Sequence, residues 1–258
     1  MIILLTFLTF FGISHDSPGK DKKTLLLVFA HPDDELAIAP ALSRLSKDYT
    51  IYSVFATDGK GGTRVRNIPP DSLGLIRIEE AKCSLFKLGL EPPIFLHVDR
   101  LDSKFSLTEF WKQASVAKDS LKNIIQRIKP NAIITAGPDG DTGHPEHRVI
   151  SSMTTELLLR EGWVEQYPLY YFLWTKQQVD HFSKMGIDDI MYVSENYVNL
   201  TVKFNEEDQR KSWDAMKCHQ SQYTEQEIEK SIGIDKLDTV KATYFRRFVV
   251  DRIKRKDF

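Results

Sequence analysis

The sequence predicts an α/β protein: a Rossmann-like, mainly parallel sheet with helices on both faces. Three observations lead there. Short apolar runs alternate with longer helical patterns between residues 24 and 160. The runs are apolar throughout, as in Leu25-Leu26-Leu27-Val28-Phe29-Ala30, which suits strands covered on both faces. Two of the runs lead into clusters of acidic residues and histidines, and such folds bind ligands outside the carboxyl ends of their strands.

Residues 25–30 read as the first strand. Residues 35–47 read as a helix, because Leu36, Ile38, Ala39, Leu42 and Leu45 recur on a helical period. The second strand covers 51–56. A loop with Gly59, Gly61 and Gly62 then runs to Pro69-Pro70, and a helix over 72–87 is stopped by Gly89 and Pro92-Pro93. A strand over 94–98, a long helix over 107–128 ended by Lys129-Pro130, a strand over 132–136 and a helix over 145–159 follow. Beyond Arg160, strands are expected over 170–174 and 198–204, and helices over 206–222 and 225–232. The cluster Tyr167, Tyr170, Tyr171, Phe172 and Trp174 reads as packed strand rather than a sugar platform. No linker rich in Gly or Ser divides residues 21–258, which read as one domain.

With 258 residues, 41% of them hydrophobic, the chain is long enough for one sizeable core. A net charge of -1 leaves no electrostatic footprint for nucleic acid. The locally basic tail around Arg246-Arg247 and 252–256 reads as a solvated helix or strand end. Cys83 and Cys218 have no ligand-spaced partner cysteine, so they read as buried thiols, a single bridge being the alternative. Residues 1–13 carry no charge, yet fall short of the about 20 apolar residues of a bilayer span. They fit the apolar region of a secretory signal, with Gly12 and Ser14 near a cleavage point. Residues 1–20 are therefore set apart as a signal peptide and polar spacer, with an uncleaved anchor as the alternative. Export to the periplasm or the outside of the cell is expected.

The chemistry lies in Ala30-His31-Pro32-Asp33-Asp34-Glu35 and Gly143-His144-Pro145-Glu146-His147. If the first and fourth long strands are neighbours, both clusters meet in one crevice. Pro32 disfavours the α conformation at His31 and keeps that turn extended. Asp33 and Asp34 are adjacent and point apart, so one can bind an ion while the other stays free. Pro145 suits the first turn of a helix. Two imidazoles and a carboxylate, with water in an open position, make a catalytic zinc site, and zinc lowers the pKa of that water from about 15.7 to about 7. Iron and manganese fit the same donors. Read singly, the acidic run is a helix N-terminus favoured by the macrodipole and His-x-x-His is commonplace. Their joint placement at strand ends favours the metal.

These motifs resemble the two signatures of the LmbE-like, or PIG-L-like, zinc-dependent N-deacetylases, in order and in setting. Thr57-Asp58-Gly59, the helix from Arg77 to Leu88-Gly89, and Lys217 to Gln222 with His219 and Ser221 are weaker echoes. The resemblance covers roughly residues 24–225. It implies His31, Asp34 and His147 as zinc ligands, Asp33 as general base and a protonated His144 as electrophile or acid. It further implies Arg77 as a substrate contact. Thr57 and Asp58 are pocket-wall candidates, and His219 is either a site residue or a structural histidine. The family usually has Asp where this chain has Glu146. The implied substrate is a small molecule or glycan with an acetamido group, split by water into acetate and amine.

Of the remaining residues, Asp141 reads as a helix cap or as the partner of a ligand histidine. Lys60, Arg64 and Arg66 offer loop cations. Competing readings are an amidase for a non-sugar amide and a metal- or carbohydrate-binding module without turnover. The spare carboxylate Asp33 speaks against the module. A dinucleotide enzyme is disfavoured, because the first strand leads into His-Pro-Asp-Asp-Glu rather than a glycine-rich turn.

Overall fold

A computed structural model describes residues 22–62, 67–101, 106–251 and 253. The expected signal segment, Arg64 and Arg66 lie outside them. One sheet of seven strands runs through the molecule: β1 (Lys23–Phe29), β2 (Tyr49–Phe55), β3 (Ile94–Phe95), β4 (Ala132–Ala136), β5 (Leu169–Leu173), β6 (Leu200–Lys203) and β7 (Ala242–Arg247). Their order is β3-β2-β1-β4-β5-β7-β6. The first five are parallel, while β7 runs antiparallel to both β5 and β6.

Strand alternation divides the core. Leu26, Val28 and Ala30 face one side of the sheet and pack with α3 (Leu107–Ile128) and α4 (Pro145–Arg160). Leu25, Leu27 and Phe29 face the other and pack with α1 (Ala39–Leu45), α2 (Pro70–Leu88) and α6 (Glu206–Met216). Burial on both faces is what an uninterrupted apolar strand requires.

The expected elements are present, with corrections at their ends. The helix expected from residue 35 begins as a 3-10 turn, Asp34–Ile38, and becomes α-helical only at Ala39. Pro40 has no N–H, and its ring clashes with the carbonyl four residues back, so one α-helix cannot run through both segments. The strand expected to reach residue 98 stops at Phe95, since His97 adopts a φ of 56°. The helix expected to reach residue 222 stops at Met216, and the turns that follow hold His219 and Ser221 against other elements. Two elements were not anticipated: α5 (Lys176–Lys184) and β7. The last described helix is α7 (Glu225–Leu237).

The cysteines are corrected as well. Cys83 on α2 and Cys218 just beyond α6 form a disulfide, with Cα atoms 5.8 Å apart. Cys83 is exposed and Cys218 half-buried, because both lie on the outward sides of a packed helix pair. Among the described residues, no helix is long and apolar enough to cross a membrane.

Candidate metal centre and catalytic cleft

From the adjacent strands β1 and β4 the chain moves off in opposite directions, to β2 and to β5. A crevice therefore opens at their carboxyl ends. The first cluster turns there out of β1, and the second caps α4, where His144 is the N-cap residue and Pro145 opens the helix. The resulting cleft encloses about 590 Å³. His31, Asp33, Asp34, His144, Glu146 and His147 all line it.

Asp34 joins the two clusters. Its Oδ2 accepts from the N–H groups of Ala30 and His31, at 2.9 and 3.0 Å, which fixes the carboxylate. Its Oδ1 then lies 3.0 Å from His147 Nε2 and 3.6 Å from His31 Nδ1. Two ligands at about 2.1 Å in a tetrahedral zinc site stand about 3.4 Å apart. These spacings bracket that value, so the three atoms fit around one ion. His31, His144 and His147 also offer ring nitrogens within 4.8 Å of one another.

The partners of each ring settle which nitrogen is available. His31 Nε2 donates to Glu146 Oε2 at 2.7 Å, and His147 Nδ1 donates to the Gly140 carbonyl at 3.1 Å. Neither partner can donate, so each ring keeps a proton on that side and turns its other nitrogen, His31 Nδ1 or His147 Nε2, to Asp34, where a bound ion would take the place of a proton. His144 Nδ1 accepts from the Glu146 N–H at 3.3 Å, so its proton sits on Nε2. Asp34 is held well below the usual carboxylate range: burial alone would raise it, but His147 and His31 outweigh burial. His147 is raised, burial being outweighed by Asp34. His144 is lowered by burial and by its neighbours His31 and His147. The Nδ1 contact leaves Nε2 as the nitrogen from which His144 can donate.

Asp33 is the spare carboxylate. Its Oδ1 accepts from Arg77 at 2.7 Å, and Tyr223 Oη donates to Oδ2 at 3.4 Å. Burial raises its pKa, against the pull of Arg77. Arg77 is 3% exposed and also donates to the carbonyls of Gly59 and Pro32. A Cβ on Gly59 would fall 2.5 Å from the Arg77 guanidinium, so this loop position needs glycine. Arg77 lines the cleft, where a substrate contact was expected of it, and its guanidinium also holds Asp33 and the loop.

The other expected substrate residues divide. Thr57 lines the cleft, with its Oγ1 accepting from the Gly59 N–H at 3.1 Å. Asp58 does not line it; Oδ1 accepts from the Lys60 N–H at 3.0 Å, closing a turn. His219 is fully buried behind the cleft wall, 2.8 Å from Glu35 Oε1, so it is a structural histidine and cannot meet substrate. Asp141 neither caps α4 nor holds His147; its Oδ1 accepts from Trp174 Nε1 at 2.5 Å. Lys60 pairs with Asp99. Sequence reasoning missed Glu146, Tyr223 and Gln222 as cleft residues, along with an apolar wall of Trp174, Phe182 and Met216. A glutamate between two histidines was a signal for Glu146, and Gln222 ends the echo that begins at Lys217; nothing local marked Tyr223 or the apolar wall.

Fold and site together define the class: an α/β protein with a cluster of histidines and carboxylates that could hold a metal ion at its topological switch point. The PIG-L family model, described as GlcNAc-PI de-N-acetylase, matches residues 26–158, and the chain belongs to that family. A curated relative from Mycolicibacterium smegmatis, 1D-myo-inositol 2-acetamido-2-deoxy-alpha-D-glucopyranoside deacetylase, is 29% identical over 180 residues. The match covers 63% of this chain and 60% of the relative, so the chain spans under two thirds of that protein. Among solved structures, N,N'-diacetylchitobiose deacetylase from Pyrococcus horikoshii aligns with a TM-score of 0.61 at 20% identity, over 90% of this chain and 86% of that one. The 4-carboxy-2-hydroxymuconate hydratase GalB from Pseudomonas putida aligns with a TM-score of 0.59 at 15% identity, over 92% of this chain and 100% of that one. At such identities the likeness shows the fold, and a hydratase among the neighbours means that fold alone does not name the reaction.

Proposed function

We propose that the chain is a metal-dependent N-deacetylase that removes acetyl from an acetamido sugar or its conjugate. The observation that carries this reading is Asp33: a carboxylate outside the ligand triangle, held at its edge by Arg77. Family membership and the acetamido-sugar deacetylase among its relatives support the choice of substrate class. His31 Nδ1, Asp34 Oδ1 and His147 Nε2 would hold the ion, and zinc suits two imidazoles and a carboxylate. A divalent ion there supplies Lewis-acid chemistry, acidifying water and polarising a carbonyl.

The protein's own groups do the rest. Asp33 takes a proton from the attacking water as its oxygen bonds to the acetamide carbon. Arg77 holds Oδ1, which leaves Oδ2 for that proton. His144 donates from Nε2 to the carbonyl oxygen as negative charge develops there. Cleavage of the C–N bond then requires a proton on nitrogen; acetate and the free amine leave. Thr57 and Gln222 on one wall and Trp174 on another would frame the sugar.

Export is also proposed. Residues 1–13 support it, and so does the Cys83–Cys218 disulfide, since such bonds persist in oxidising compartments.

The test is amine release by the purified chain from N-acetylglucosamine and its p-nitrophenyl α- and β-glycosides, before and after chelation and zinc return. Turnover lost to the chelator and restored by zinc is expected. A metal-loaded protein that releases no amine from any of these substrates would favour the binding module or a non-sugar amide.

A further inference from the structure

Asp33 has a φ of 99°, in the left-handed region. For a residue with a side chain this conformation is strained, and it persists only where the surroundings impose it. The surroundings here are Glu35. The Asp33 N–H donates to Glu35 Oε2 at 3.0 Å. Glu35 is completely buried, and its other oxygen accepts twice: from Ser84 Oγ at 2.5 Å and from His219 Nε2 at 2.8 Å. A carboxylate bound at both oxygens cannot rotate without leaving a buried donor unpaired, which is unfavourable.

The two donors come from distant parts of the chain, Ser84 from α2 and His219 from the turn after α6. Each is the immediate neighbour of a cysteine, and those cysteines, Cys83 and Cys218, are bonded to each other. Neither the cysteines, Ser84, Glu35 nor His219 lines the cleft. The whole assembly stands behind the wall that carries Asp33.

We propose that Glu35 is the positioning residue for the general base, and that the Cys83–Cys218 bridge keeps its two donors in place. Glu35 fixes the backbone of Asp33, and Arg77 fixes its carboxylate. Together they set where Oδ2 meets water. The proposal rests on the reading of Asp33 as general base. It goes beyond that reading by giving buried residues that never touch substrate a measurable share in turnover.

The test compares Glu35→Ala, Glu35→Gln and the double variant Cys83→Ala/Cys218→Ala with the wild type. The readouts are kcat per bound zinc, KM for p-nitrophenyl N-acetylglucosaminide, and a crystal structure. Glu35→Ala should lower kcat per zinc at least about tenfold, since small misplacements of a catalytic group can cost about a hundredfold. KM should stay within about twofold. Glu35→Gln should recover much of the loss, because its amide oxygen still accepts from the Asp33 N–H. A merely structural role would reduce the folded fraction and leave kcat per zinc unchanged, and that result would overturn the proposal. Should Glu35→Ala not fold, the double variant carries the same readouts, with a smaller loss of about threefold or more expected. Should the wild type turn over none of the sugars, the deacetylase reading fails and crystallography still decides this one. An Asp33 that relaxes to negative φ in Glu35→Ala or the double variant supports it; one that stays near 99° overturns it.

Discussion

His31 Nε2 and Glu146 Oε2 lie 2.7 Å apart, joining the turn after β1 to the first turn of α4. Glu146 is 6% exposed, and its other oxygen accepts from the Leu101 N–H at 2.5 Å. The carboxylate therefore fixes both the orientation of the His31 ring and the nitrogen that keeps the lone pair. Loss of such a partner costs about 10- to 100-fold in metal affinity. Glu146→Ala is expected to weaken zinc binding by about that factor in competition with a chelator. The longer side chain also explains why Glu stands here: it spans to His31 and to the Leu101 backbone at once.

Asp34 and His144 should behave oppositely. Asp34→Ala or His147→Ala removes an expected ligand, and the purified protein should contain little zinc. His144→Ala should keep about one zinc per chain while kcat falls by about 10²–10³, the cost of losing an oxyanion donor. Zinc lost from His144→Ala with Asp34→Ala still loaded would point instead to a site built from the three histidines. Elemental analysis beside the amine assay separates the two.

The disulfide closes a long stretch of chain, its ends 135 positions apart in the sequence. Removal of such a bond typically costs about 2–5 kcal/mol. Cys83→Ser/Cys218→Ser should lower the denaturation midpoint accordingly, and denatured wild type should show no free thiol before reduction.

Asp235, which also lines the cleft, supplies a pH signature of its own. It accepts from Trp213 Nε1 at 2.9 Å and Gln209 Nε2 at 3.2 Å, and burial pushes its pKa up to about 6. The folded state therefore holds its proton to higher pH than the unfolded chain, whose value is 3.8. Its contribution to stability is fully present below about 4 and lost as pH rises through about 6. Asp235→Asn keeps an accepting oxygen and removes the charge. It should stabilise the protein at pH 7.5, by up to about 3 kcal/mol, and by progressively less as pH falls to 4. Melting curves across that range check it.

The parallel core and the two clusters that line the cleft were legible because their signals are local. Uninterrupted apolar strands and His-Pro-Asp-Asp-Glu need no knowledge of distant residues. What escaped depends on partners far along the chain. Glu35 is part of the first motif, yet its role requires His219, and that pairing spans 184 residues. Arg77 was singled out by the family resemblance alone, because a lone arginine on a mostly apolar helix gives no sign that it reaches Asp33. In α5 only Val179 and Phe182 are strongly apolar, too few to set a period. β7 is a short antiparallel strand with two arginines at its end, and it lacks the apolar run that marks its parallel neighbours.

The central claim is the division of labour between Asp34, which holds the ion, and Asp33, which moves the proton. The most direct measurement takes bound zinc and amine release together on Asp33→Asn. The division requires about one zinc per chain, as in the wild type, with amine release reduced to background. Loss of zinc would make Asp33 a ligand, and full turnover with zinc retained would remove it from the reaction; either result contradicts the assignment.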